Sequence, residues 1–207
     1  HYSELSSYQS AISKSIKLFN KTQIDGLVYV AMHDRDVMEL IPKLSIPIVL
    51  VYCYDTSKKN YYVTYDNMDV IADVAEYLVK HGHEKIGVIK GAEDSLPSQK
   101  RLRSFITQLE KAGKELKEEY IFPGAWEFGD GVKAYERFKQ LEEKPTAIFA
   151  MNDLMATGFM DAALNDGVRI PEDVSVIGFD NRQECRFTRP RLTTCLLYTS
   201  DAADDRI

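Results

Sequence analysis

Long apolar runs are missing from this chain: no stretch approaches the roughly 18 consecutive apolar residues that a membrane-spanning helix requires. Cysteine is scarce. Cys53, Cys185 and Cys195 have neither metal-ligand spacing nor the even count of a disulfide framework, which leaves the reduced thiols of a cytoplasmic protein. A surplus of positive charge is missing as well. The 26 Lys+Arg against 32 Asp+Glu leave a net charge of −6, which argues against this stretch gripping nucleic acid by general electrostatics. Enzyme signatures are equally absent: no GxSxG elbow, Walker loop, HExxH or GxGxxG occurs. The glycines of GAWEFGDG (124–131) fall at the wrong spacing for a phosphate loop and outside a strand–turn–helix context. His81 and His83 form an HGH pair with no further His or Cys clustered nearby, whereas zinc takes three or four ligands. Glu142–Glu143 reads as a solvated helix end. The expectation is a protein without catalytic residues, metal or cofactor. Repeats, low-complexity tracts and a signal peptide are also lacking, although a chain beginning at His1 leaves the last point open.

What is present is alternation. A length of 207 residues suits one large α/β domain or two small ones. The run TAIFAMNDLMATGFMDAALNDGVRIPEDVSVIGFDN (146–181) shows the pattern best. Thr146–Met151 is a short apolar run with a strand predicted over Ala147–Met151, and Asn152 and Asp153 offer N-cap side chains. Met155, Phe159, Ala162 and Ala163 follow at helical spacing, and Gly167 stands where a helix C′ residue belongs. Pro171 restarts the chain into a second buried strand of Val174, Val176, Ile177 and Phe179. Elsewhere the periodicity predicts strands over Ile24–Val30, Pro47–Tyr52, Tyr61–Thr64, Lys85–Ile89 and Glu119–Phe122. Helices are predicted over Glu4–Asn20, Asp36–Leu44, Met68–Lys80, Ser98–Ala112, Gly131–Leu141 and Asp153–Asn165. Buried strands alternating with helices imply an α/β fold of parallel sheets covered on both faces. The pattern itself supplies two sheets and does not place them in two lobes.

Polar residues gather where strands end, the place where an open α/β sheet forms its ligand crevice. Trp126, the single tryptophan, follows a predicted strand; it can stack on the apolar face of a sugar or nucleobase, or plug the rim of its own core. Arg101 offers a rigid fork of donors, but Lys100 and Arg103 beside it equally describe a solvated basic face. Asn152 carries both donor and acceptor and Asp180 only acceptors, a mixture suited to polyols and nucleosides. Asn152 reads equally well as a helix cap, and Asp180 as a turn residue with Asn181.

Several motifs, in order from about residue 4 to residue 194, resemble the effector-binding domain of the lactose/galactose repressor (LacI/GalR) family. They are QIDGLVYVA (23–31), DNMDVIADVAEYLVKHGHEKIGVIKG (66–91), NDLMATG (152–158), RIPEDVSVIGFDN (169–181) and PRLTT (190–194). The resemblance implies two Rossmann-like lobes of the periplasmic-binding-protein-like type I fold. An incomplete amino-terminal lobe would hold residues 1–65, a carboxy-terminal lobe 66–189 and a return crossover 190–194. The DNA-binding headpiece would be absent. The tail CLLYTSDAADDRI (195–207) departs from the family and resembles the in-frame translation of a transposase sequencing adaptor; it is expected to be non-native, the alternative being a natural but divergent terminus, and the domain is expected to be truncated at both ends.

The functional expectation follows from the resemblance. The parent protein is expected to be a cytoplasmic, homodimeric bacterial transcription regulator, a repressor. It would sense a small effector, a sugar or nucleobase-like molecule, between the lobes and bind operator DNA through the missing headpiece. Arg101, Trp126, Asn152 and Asp180 are expected effector contacts. The family's R-x-x-G-[FY] pattern maps onto Arg101, Ser104 and Phe105, with Ser104 replacing the usual Gly. Tyr52 stands where some relatives have a ligand-binding Asp and is expected to contribute a different contact. The alternative of another class is a secreted sugar-binding protein that feeds a transporter.

Overall fold

The computed structural model describes residues 24–31, 37, 46–57, 59–63, 68–93 and 95–195. The helices expected over Glu4–Asn20 and Asp36–Leu44 lie outside these residues, apart from the buried Val37. So does the tail beyond Cys195. The chain divides into two compact units, His1–Tyr65 and Asp66–Ile207.

In the first unit, β1 (Leu27–Val30), β2 (Ile48–Val51) and β3 (Tyr61–Val63) form a parallel sheet in the order β1-β2-β3. Ile48 and Leu50 alternate along β2 toward a small core with Ala31, Val37 and Cys53. That period of two is what a pleated strand imposes.

The second unit builds a five-stranded parallel sheet in the order β5-β4-β6-β7-β8, from β4 (Ile86–Ile89), β5 (Ile121–Phe122), β6 (Ala147–Ala150), β7 (Ser175–Phe179) and β8 (Thr193–Cys195). Four helices connect it: α1 (Met68–Lys80), α2 (Leu96–Lys111), α3 (Phe128–Gln140) and α4 (Asp153–Asn165). The helices α1 and α2 pack together, as do α3 and α4. Every residue of β4 and β6 is buried, so these strands are covered on both faces, as their unbroken apolar sequences require. In α1, Ile71, Val74, Ala75 and Leu78 form the buried stripe. Gly82, at φ +84°, then ends the helix with a left-handed turn.

Several boundaries differ from the sequence expectation by a residue or more, and three of them have an evident local reason. Helix α2 begins at Leu96 because Ser95 caps it, accepting from the Ser98 N–H, with Pro97 in the first turn. Helix α3 begins at Phe128, ahead of the predicted Gly131, because Glu127 and Asp130 form a reciprocal capping box. The strand expected over Glu119–Phe122 shortens to two residues. Its first part is a 3-10 turn (Glu118–Tyr120) closed by the Tyr120 N–H on the Lys117 carbonyl, which buries the tyrosine ring.

One strand was not anticipated. The segment expected as a crossover ends in β8, whose Thr193, Thr194 and Cys195 pair in parallel with Ile177, Gly178 and Phe179. Cys195, counted with the foreign tail in the sequence reading, is thus a member of this sheet.

The chain runs from β4 to β5 on one side, then returns past β4 to form β6 on the other. This reversal places a crevice outside the carboxyl ends of β4 and β6. Helices α3 and α4, which follow β5 and β6, pack in close contact. A Cβ on Gly131 would stand 2.0 Å from the Met155 carbonyl oxygen, and one on Gly158 would stand 2.0 Å from the Phe128 carbonyl oxygen.

Candidate functional site

The loops after β4, β5, β6 and β7 bring Arg101, Trp126, Asn152 and Asp180 to one edge of the second sheet. Arg101 lies in α2 and is only 3% exposed. Its Nη1 donates to the Met151 carbonyl at 2.8 Å, immediately after β6. Its guanidinium carbon stands 4.3 Å from the Phe179 ring centroid and 5.6 Å from that of Trp126. A solvated basic face is therefore the wrong description of Arg101. Ser104, the departure from the family's glycine, donates its hydroxyl to the Met68 carbonyl at 2.9 Å and so ties α2 to the start of α1. Phe105 is buried against Phe149, with centroids 5.0 Å apart.

The loop after β5 fixes Trp126 from both sides. The Ala125 and Glu127 N–H groups both donate to Asp130 Oδ2, at 2.8 and 3.2 Å. Burial would raise the Asp130 carboxyl, yet those two amides and Lys133 together hold it below the usual carboxylate range. Trp126 itself has φ +76° and is half-buried. Its ring lies over Gly91, where a Cβ would come within 2.0 Å of Trp126 Cζ2; only glycine leaves room for the indole there.

Asn152 uses both ends of its amide inside this frame. Oδ1 accepts from the Met155 N–H at 2.8 Å, capping α4, and Nδ2 donates to the Trp126 carbonyl at 2.8 Å. The capping role left open by the sequence is thus real, and it has a second half that the sequence did not reveal. One N–H and one lone pair remain for another partner.

Asp180 follows β7 at φ +112°, and Asn181 after it has φ +52°. Burial pushes the Asp180 carboxyl up to about 6 against the pull of Arg101, while Asp153 adds to the rise and Arg182 opposes it. Sequence reasoning passed over Asp153 except as an alternative cap. At 1% exposure it accepts from the Arg182 N–H at 2.7 Å and from the Thr194 hydroxyl at 2.6 Å. A charged residue beside a cap gave no signal of these distant partners.

Tyr52 belongs to the first unit. It follows β2 at φ +56°, is half-buried, and its N–H donates to the Val63 carbonyl at 3.0 Å. Among the described residues, the non-glycine positions with positive φ are Tyr52, Trp126, Asp180 and Asn181. All follow the carboxyl end of a strand. Such backbone costs about 1 kcal/mol or more per residue and concentrates at ligand sites.

Other chemistries find little support. His83 lies at the amino end of β4, its Nδ1 2.9 Å from Thr146 Oγ1, and His81 Nδ1 stands 2.8 Å from the Tyr77 carbonyl. Among the described residues no group of three His, Cys, Asp or Glu is arranged to hold a metal, and no helix is long and apolar enough to cross a membrane. None of Cys53, Cys185 and Cys195 forms a disulfide. Burial pushes the Cys185 thiol up to about 12 and the Cys195 thiol up to about 11.

The arrangement has relatives. The periplasmic binding protein-like domain family matches residues 75–204. A transcriptional repressor PurR of Mannheimia succiniciproducens is 34% identical over 193 residues, covering 88% of this chain and 55% of the relative. Catabolite control protein A of Priestia megaterium is 29% identical, covering 87% of this chain and 56% of its own. The chain thus spans about half the length of these curated relatives. Among solved structures, a LacI-family regulatory protein from Chloroflexus aggregans superposes with a TM-score of 0.78 at 27% identity, covering 90% of this chain and 67% of that one. A LacI-family sugar-binding transcriptional regulator from Escherichia coli, complexed with phosphate, gives 0.75 at 28% identity, with 88% and 66% covered. The parallel sheets, the polar groups gathered at the carboxyl edge of the second one and these likenesses lead to one assignment: the chain belongs to the periplasmic-binding-protein-like family, as a LacI-family effector-binding domain.

Proposed function

We propose that this chain is the effector-sensing part of a bacterial LacI-type transcription regulator, a repressor, and that it takes a small neutral polyhydroxy or nucleobase-like ligand, a sugar first among them. The observation that carries the reading is the convergence of Arg101, Trp126 and Asp180 on one strand edge, with donor, aromatic face and acceptor side by side. A neutral ligand suits a site whose guanidinium and carboxyl oppose each other in charge. Asn152 contributes the remaining capacity of its amide, and Tyr52, at the end of β2, is the proposed contact from the first unit. Operator binding through a separate DNA-binding headpiece belongs to the same proposal, supported by the relatives named as HTH-type transcriptional repressors; homodimerisation and a cytoplasmic location are carried over from the family resemblance.

A ligand that favours one conformation acts only through its differential affinity for the two. The test uses the single tryptophan, whose emission reports this site alone. Titration with D-ribose, D-glucose and hypoxanthine is expected to change Trp126 fluorescence saturably for at least one of them. Arg101→Met should abolish that response. Silence with all three probes, or an unaltered response in Arg101→Met, would sink the ligand assignment.

A further inference from the structure

The backbone that carries Asp180 is held by three consecutive amides, and none of their acceptors lies in its own loop. The Asp180 N–H donates to the Cys195 carbonyl at 3.2 Å, the Asn181 N–H to Thr194 Oγ1 at 3.1 Å, and the Arg182 N–H to Asp153 Oδ2 at 2.7 Å. The Thr194 hydroxyl, while accepting from Asn181, donates to Asp153 Oδ1 at 2.6 Å. The result is a closed ring of hydrogen bonds linking the first turn of α4, the loop after β7 and the edge strand β8. Gly178 makes the ring possible: a Cβ there would lie 2.3 Å from Asp153 Oδ1. Asp180 and Asn181 sit within this ring at φ +112° and +52°, a conformation that non-glycine residues hold only when surroundings over-determine it.

We propose that Thr194 and Asp153 form a latch that positions Asp180 and couples the ligand site to strand β8. Neither residue needs to touch ligand. Thr194 acts through its hydroxyl, because a hydroxyl alone can accept from Asn181 and donate to Asp153 at once. Valine has the same shape and can do neither. This coupling rests on the proposed ligand role of Asp180, but the latch itself has a ligand-independent signature.

The experiment compares the 207-residue chain with Thr194→Val and Thr194→Ser. Amide exchange is read by NMR at Asn181 and Arg182, with α1 amides as the control. Thr194→Val is expected to raise exchange at both amides at least tenfold while α1 is unchanged, and Thr194→Ser is expected to restore protection. Unaltered exchange in Thr194→Val, or a serine variant that behaves like valine, overturns the latch. Loss of protection in α1 as well would show general unfolding and also overturn it. In a second arm, D-ribose is titrated against Trp126 fluorescence. A weakening of about tenfold in Thr194→Val, reversed in Thr194→Ser, supports the coupling; equal affinity in all three overturns it. Absence of any response in the wild-type chain counts against the sugar reading for this probe, while the exchange result still decides the latch.

Discussion

The two ends of the second sheet handle charge in opposite ways. At the amino end, Glu143 lies between Lys85 and Lys117, at 2.5 and 2.7 Å, and Glu84 meets Lys114 at 2.9 Å, all in contact with water. At the carboxyl end, Arg101 and Asp153 are buried, Asp180 is half-buried, and Trp126, Asp180 and Asn181 hold positive φ. Solvated pairs are worth little because water screens them and long side chains must be ordered to form them. Buried groups are costly unless every bond is supplied. A fold gains nothing in stability by placing such groups at one edge, so their concentration there points to binding. On the proposed reading, the carboxyl end is the recognition edge and the amino end a solvated one.

That contrast is breakable by substitution. The largest effect is expected for Arg101→Ala, which removes the donor to Met151 and the contact with Phe179 and takes from Asp180 the cation that pulls on it most strongly. Destabilisation of about 3 kcal/mol is expected by chemical denaturation. A value no larger than that for an amino-end lysine would erase the contrast. Next comes Asn152→Ala, which loses the α4 cap and the clasp on Trp126 together. A cost of about 2 kcal/mol is expected, above the usual value for a cap, with a shift in tryptophan emission. A cost without the emission change would mean that only the cap matters.

The two ends also differ in the sign of their pH dependence. Asp180 keeps its proton to about pH 6 in the folded chain, whereas unfolded it releases it near the ordinary carboxylate value of 3.8. The unfolded state therefore binds fewer protons across that window, and stability falls as pH rises through it. Asp180→Asn should remove that fall and stabilise the chain at pH 7 by about 1 kcal/mol after allowance for solvent, while abolishing ligand binding. A variant with the wild-type pH slope would place the titration elsewhere. Glu143 runs the other way. Hydrogen bonds from Lys117 and Lys85 hold it down at about 2, so its contribution is present above the ordinary range and is lost as pH falls toward 2. Because it is fully exposed, Glu143→Gln should be the mildest change, moving the melting midpoint by no more than about 2 °C at pH 7.

The sequence made some of this legible. Helices α1 and α4 were read to their terminal residues, because Met68–Lys80 and Asp153–Asn165 each carry a periodic apolar face closed by a glycine at Gly82 or Gly167. The start of α3 was read late because its capping box opens with glutamate, a less usual cap than Ser, Thr, Asp or Asn. Strand ends drew attention to Trp126, Asn152 and Asp180, while the family resemblance was needed to nominate Arg101. The partners of these residues were not legible: Asn152 reaches Trp126, and Arg101 reaches Met151, over separations that no local pattern encodes.

The sequence by itself determined the alternation of strands and helices, and with it the edge at which Arg101, Trp126, Asn152 and Asp180 stand. Periodicity and punctuation are local properties, written residue by residue. Tertiary structure alone decided that Arg101 is buried against Phe179, that a glycine at 91 receives the indole, and that β8 extends the sheet. It also decided the ring joining Asp153 to Thr194, residues 41 apart in the chain. Those features exist because buried polar groups must find partners wherever the fold brings them, and sequence distance does not enter that requirement.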